Sequence, residues 1–158
     1  MSARSEELAR RFEQANDDLV KTVQGCSNEQ WGKTCTGERW SVGVTAHHVA
    51  ASYGPITGFV QALANGQPMP PLTAEMLEAG NAEHARKFAS CTKDETVGLL
   101  QSGAKAAATA VRGLSDEQLD RGAELPLMGG KRVSAAQLVE MALIGHPTSH
   151  LASIRAAL

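Results

Sequence analysis

Ile144-Gly145-His146-Pro147-Thr148-Ser149-His150-Leu151-Ala152-Ser153-Ile154-Arg155, near the C-terminus, places two histidines four positions apart. On an α-helix, with about 100° per residue, side chains at that spacing lie within roughly 40° of each other, so both imidazoles can approach one point. Val139, Ala142, Leu143, Ile154 and Ala157 are read onto the same face, which turns the pair toward a helical core. Polar rings among alkyl groups need partners, and a metal ion is one such partner. The helix is expected from about Ser134 to the end, because Ser134 and Gln137 have capping-box spacing. Pro147 removes one backbone hydrogen bond, and a new helical piece starting there would turn His146 elsewhere.

A second helix is expected over about Ser41–Ala64, followed by the loop Asn65-Gly66-Gln67-Pro68-Met69-Pro70-Pro71. Gly54-Pro55 should bend or divide it. His48 shares a stripe with Val44, Ala51, Ser52, Pro55 and Phe59, whereas His47 falls with Gly43, Gly54 and Gly58. His48 is therefore the preferred third ring, and a one-residue change of register would substitute His47. Three neutral imidazoles suit zinc with one or more positions open, and imidazole ligation also admits nickel, iron or copper. A metal-free bundle whose histidines are satisfied by hydrogen bonds fits the same spacing.

Residues 3–24 form the first helix, with Leu8, Phe12, Ala15, Leu19 and Val23 on one stripe and Gly25 as the stop. The third segment spans about Thr73–Gly113 and is interrupted at Cys91-Thr92-Lys93-Asp94-Glu95, where Thr92 and Glu95 have capping spacing. Val97, Leu100, Ala104, Ala107 and Val111 form its buried side. Ser27-Asn28-Glu29-Gln30-Trp31 echoes Ser115-Asp116-Glu117-Gln118-Leu119, and Gly37-Glu38-Arg39-Trp40-Ser41 echoes Gly130-Lys131-Arg132-Val133-Ser134. Each pair precedes a histidine-bearing helix, as two related helical hairpins would.

The fold class is all-α, a four-helix bundle, with residues 1–158 as a single domain. Hydrophobic residues at 42% and charged residues at 20% are ordinary for a globular chain. Fifteen basic against seventeen acidic residues leave no basic footprint for nucleic acid, and 4% aromatics leave no base-stacking platform. No apolar run reaches the roughly 20 residues of a membrane span. The charged start MSARSEELARR is no signal peptide, and Cys26, Cys35 and Cys91 read as reduced thiols, so a cytoplasmic location is expected. None of the three cysteines has an obvious basic partner, and no nucleophile is assigned. His84 and Glu83 read as surface residues, and Trp31 and Trp40 as core anchors. GxGxxG, Walker A, HExxH and GxSxG patterns are absent, as are the ExxH pairs of di-iron bundles.

Trp40-Ser41-Val42 with His48 eight positions after the tryptophan, and His146-x-x-x-His150 followed by Leu151 and Ile154-Arg155, resemble the second and fourth helices of the DinB-like superfamily. Glu29-Gln30-Trp31 and the Asn-Gly-Gln-Pro loop fit as well. The resemblance implies an up-down-down-up bundle, often a homodimer, with a divalent metal on His48, His146 and His150, zinc first and nickel as the alternative. Some members are transferases or isomerases that use low-molecular-weight thiols such as bacillithiol or mycothiol. The mycothiol-dependent maleylpyruvate isomerases share the metal-binding domain and carry a further C-terminal domain that is not expected here. The function expected is a metal-dependent, thiol-using S-transferase or isomerase-like activity on a small molecule. The alternative is a non-catalytic dimeric metal-binding bundle with a stress-related or partner-binding role.

Overall fold

Every long helix opens on a serine or threonine that caps it, except the last. The computed structural model describes residues 1–158. Ser2 caps α1 (Ala3–Gln24), Ser41 caps α3 (Val42–Ala64), Thr73 caps α4 (Ala74–Lys87) and Thr92 caps α5 (Lys93–Arg112). In each case the hydroxyl accepts the backbone N–H three residues on, one of the donors a helix start leaves unpaired. Two short helices, α2 (Asn28–Trp31) and α6 (Asp116–Asp120), carry full capping boxes from Ser27 with Gln30 and Ser115 with Gln118.

The bundle is formed by α1, α3, α5 and a composite fourth helix. α5 packs along both α1 and α3, and the fourth helix packs along both from the other side. α1 and α3 are thus diagonal. Their directions follow from named contacts. Ser5 donates to the Arg112 carbonyl at one end of the α1–α5 pair and Lys93 donates to the Cys26 carbonyl at the other, so these helices are antiparallel. Trp31, seated against Gly43 at the start of α3, donates to the Cys91 carbonyl just before α5, and Tyr53 faces Gly103 further along, so α3 and α5 run parallel. Ser52 and His48 meet His146 and His150 in antiparallel order. Arg11 pairs with Glu140 at the start of the parallel α1–fourth-helix contact. The topology is therefore up-down-down-up. Parallel neighbours α3 and α5 need a return crossover, and residues 65–92, with α4 inside, supply it.

Phe12, Leu19, Val23, Leu100, Val111, Leu143 and Ile154 are fully buried in one continuous core. Phe12 meets Tyr53 edge-on at 5.0 Å, and Tyr53 donates to Asn16 Oδ1 at 2.9 Å, which satisfies a hydroxyl with no access to water. Arg112 forks onto Glu6 and Glu13 with four bonds of 2.7–3.1 Å and ties the end of α5 to α1.

Several sequence expectations are corrected. Gly54-Pro55 does not divide the second helix; α3 runs unbroken from Val42 to Ala64. Ala51 and Pro55 are exposed, and the core stripe of α3 is Val42, Ala46, Val49, Tyr53 and Val60. The stretch before Ser134 contains an antiparallel hairpin, β1 (Gly122–Leu125) with β2 (Lys131–Ser134), closed by Pro126–Met128 and the left-handed Gly129 and Gly130. An isolated bridge, Thr34↔Ser41, stands at the matching place before α3. The sequence echo thus has a structural counterpart: a capped short helix, an antiparallel pairing, and a serine-capped helix that bears histidine.

The fourth helix has three parts: α7 (Ala135–Leu138), a π-helical stretch (Val139–Ile144) and α8 (Gly145–Ala157). The Gly145 N–H reaches back five residues to the Glu140 carbonyl, which completes the π pattern. Pro147 follows immediately, in the first turn of α8. A proline ring crowds the carbonyl four residues earlier and offers no N–H, and a widened turn before it relieves both problems.

Candidate metal centre

His48 from α3 and His146 and His150 from α8 bring one ligand-capable atom each to within 4.8 Å of one another. His48 Nε2 and His150 Nε2 both lie 3.0 Å from His146 Nε2. Pro147 does not turn His146 away. It is itself the buried residue of that turn, packed inward with Leu143, Leu151 and Ile154, while the two histidines flank this stripe and face α3. His48 likewise lies at the edge of the α3 core stripe. The three rings converge, but His146 and His150 lie beside the buried stripe of α8 and not on it, and the core stripe of α3 is one residue on from the expected one.

The outward nitrogens of α8 are held by protein groups. His146 Nδ1 is 3.2 Å from Ser52 Oγ, and that hydroxyl gives its own proton to the Val49 carbonyl at 2.6 Å. Ser52 must therefore accept, and His146 Nδ1 must donate. His150 Nδ1 lies 3.3 Å from Glu38 Oε1, a carboxylate acceptor with its side chain 13% exposed. Both rings then present an unprotonated Nε2 inward.

Burial keeps these rings neutral. It pushes His48 down to about 3, with help from His146 and His150, and His146 down to about 4, with help from His150. Burial also lowers His150, against the opposing pull of Glu38. Two lone pairs facing each other at 3.0 Å cannot hydrogen-bond, and a cation between them removes the conflict. Ligand nitrogens at ~2.0–2.1 Å in tetrahedral zinc stand ~3.3 Å apart, close to the separation already present. The donor set therefore fits a divalent transition metal. Glu38 is not among the converging atoms, so three protein ligands would leave a position open.

Two aromatic contacts and a second imidazole pair surround the cluster. Trp40 is half-buried and packs on His48, with ring centroids 5.1 Å apart, instead of anchoring the core. His84 is not a free surface residue. Its Nε2 lies 2.8 Å from His47 Nδ1, and both rings pack against Phe88. His47 Nε2 and His84 Nδ1 are buried without a partner. All five histidines of the chain thus adjoin one another, although His47 faces α4 and not the three-ring centre. Glu83 is exposed and pairs with Arg86. Burial pushes the thiols of Cys26, Cys35 and Cys91 up, away from thiolate character.

An up-down-down-up bundle with three imidazoles between its second and fourth helices defines the class of protein. A family model for the DinB superfamily matches residues 11–154, and the chain belongs to that superfamily. Among solved structures, YfiT from Bacillus subtilis, a four-helix bundle of unusual topology with a suggested metal-dependent hydrolase activity, superposes with a TM-score of 0.74 at 16% identity, over 99% of this chain and 87% of that one. The mycothiol-dependent maleylpyruvate isomerase superposes with a TM-score of 0.74 at 15% identity, over 98% of this chain but 63% of the isomerase. An uncharacterised protein from Clostridium difficile 630 gives 0.76 at 11% identity, over 99% and 96%. At these identities the likeness is one of fold. No curated protein sequence matches the chain. No helix is long and apolar enough to cross a membrane.

Proposed function

We propose that this chain is a divalent-metal-dependent enzyme in which His48, His146 and His150 hold the ion, zinc first and nickel as the alternative. The observation that carries the reading is the convergence of the three rings, with His48 Nε2 and His150 Nε2 each 3.0 Å from His146 Nε2 and with Ser52 and Glu38 at the outward nitrogens of the α8 pair. A bound divalent cation would supply a Lewis acid with an open position, where a ligating thiol favours its deprotonated form. The chain's own groups hold the three imidazoles neutral and oriented, and Trp40 covers one side of His48.

The reaction we favour is transfer or isomerisation with a low-molecular-weight thiol as cosubstrate and a small electrophile as substrate. The isomerase that shares the fold is mycothiol-dependent, and the suggested activity of YfiT is hydrolytic. The three cysteines of this chain are held as neutral thiols, so the sulfur would come from outside. Residues 1–158 act as one domain in this reading, in the cytoplasm and as a homodimer.

The test offers the metal-loaded protein a generic electrophile with and without each of several thiols. Turnover that needs both metal and thiol, and that is lost in His48→Ala, supports the reading. Equal turnover without thiol replaces it with hydrolysis. No metal in the purified wild-type protein, and none taken up on addition, overturns it.

A further inference from the structure

We propose that Glu38 is the positioning residue of the metal centre, delivered by the loop 33–41 to hold His150 in its metal-binding tautomer. The inference rests on the three-histidine reading above and concerns a residue outside it.

The loop is built, and not merely a connection. The Val42 N–H donates to the Lys33 carbonyl, the Cys35 N–H to the Trp40 carbonyl and the Arg39 N–H to the Cys35 carbonyl, each at 2.8 Å. Thr34 and Ser41 form a β-bridge across its neck. Cys35, within the loop, is fully buried. Arg39 is the only non-glycine residue with positive φ, at 62°. That conformation is costly for a residue with a Cβ and persists where the surroundings enforce it. The residues on either side of Arg39 are those that touch the centre. Glu38 reaches His150 Nδ1, and Trp40 packs on His48. One strained turn thus sets two of the three rings, one from each helix.

Glu38 is also a costly residue to place there. Its side chain is 13% exposed, and Oε2 is buried with no partner. A carboxylate in such a place loses solvation that a single hydrogen bond does not return. The arrangement makes sense when the imidazole it contacts bears a cation on its other nitrogen. A carboxylate behind a metal-bound histidine fixes the ring and raises its basicity, and loss of such a partner typically lowers metal affinity 10- to 100-fold. Ser52 plays the neutral version of this part for His146, so the two α8 ligands are held by unlike acceptors, a hydroxyl and a carboxylate.

The experiment measures zinc affinity by chelator competition for wild type, Glu38→Gln, Glu38→Ala, His150→Ala and the double variant, with metal-free melting temperatures alongside. Glu38→Ala is expected to weaken zinc about 10- to 100-fold. Glu38→Gln keeps shape and loses charge, and is expected to fall between it and wild type. Metal-free melting should stay level or rise, because an underpaired carboxylate has gone, and this separates positioning from a structural role. In the His150→Ala background, removal of Glu38 should have no further effect, since it acts through that ring. Wild-type affinity in both Glu38 variants, with His150→Ala impaired, overturns the role of Glu38 alone. Wild-type affinity in His150→Ala overturns the three-histidine centre itself.

Discussion

Ser52 Oγ stands 3.2 Å from His146 Nδ1 while its own proton is committed to the Val49 carbonyl. The bond runs between α3 and α8, so a single hydroxyl joins the second and fourth helices beside the proposed ligands. It also fixes a tautomer, because a hydroxyl that has already donated can only accept from the imidazole.

Ser52→Ala should therefore weaken metal binding without unfolding the protein. The loss of an outer-shell partner predicts an affinity about 10-fold lower. The metal-free form should melt near wild type, because alanine is the better helix former and the Val49 carbonyl keeps its helical bond. Zinc competition against a chelator reads the first effect and thermal melting the second.

Most of the scaffold was legible because its signals are local. Thr92 and Ser134 announce their helices by the spacing to Glu95 and Gln137, and Leu100 or Val111 declare a buried face by spacing alone. The pairing of His146 with His150 was legible in the same local way, whereas their meeting with His48 is a contact between distant helices that the family resemblance implied. Glu38 was not, because its position depends on a turn through Arg39 in a conformation that sequence gives no cause to expect. His84 was misread as a surface group because its partners His47 and Phe88 meet it only once α4 has folded back on α3. The π-helical stretch escaped as well: Pro147 announced a disturbance, but its direction is set by how Leu143 and Leu151 pack on either side.

The Tyr53–Asn16 bond makes a prediction about the core. Asn16 is 3% exposed and Tyr53 is fully buried. Tyr53→Phe leaves Asn16 Oδ1 without its donor, and a buried polar group left unpaired costs about 1–3 kcal/mol. Tyr53→Phe combined with Asn16→Leu should recover part of that loss, because both polar groups are then gone. Urea unfolding of the single and double variants checks this, and zinc affinity should not change in either.

Gly43→Ala should destabilise, against the usual trend for a helical glycine. Alanine in place of glycine normally favours a helix by about 1 kcal/mol. Here an added Cβ would lie 2.5 Å from Cε2 of Trp31. The indole cannot simply move, because its Nε1–H donates to the Cys91 carbonyl at 3.0 Å. The helix start and the indole must separate, at a cost of about 1–3 kcal/mol for overpacking. A lower melting temperature with a red-shifted tryptophan emission is the expected result, and a higher melting temperature would show that Trp31 yields freely.

Acid should weaken the metal-free protein through the same rings that would bind the ion. Unfolded histidine titrates near 6.5, whereas folded His48 is held at about 3 and His146 at about 4, by burial first and by neighbouring imidazoles second. Between those limits the unfolded chain binds more protons than the folded one, so stability present above pH ~6.5 is lost as pH falls toward 4. Glu13, whose carboxyl Arg112 holds below its usual range, adds a loss at the acid end of this window. The histidine part is isolated by His48→Gln, which has no proton to gain at that position. Its melting temperature should decline less steeply than wild type between pH 7 and pH 5, both without metal. Saturating zinc should raise the wild-type curve near neutrality without changing its slope, since the folded rings His48 and His146 are already neutral there, and steepen it toward pH ~4, where protons compete for the same nitrogens.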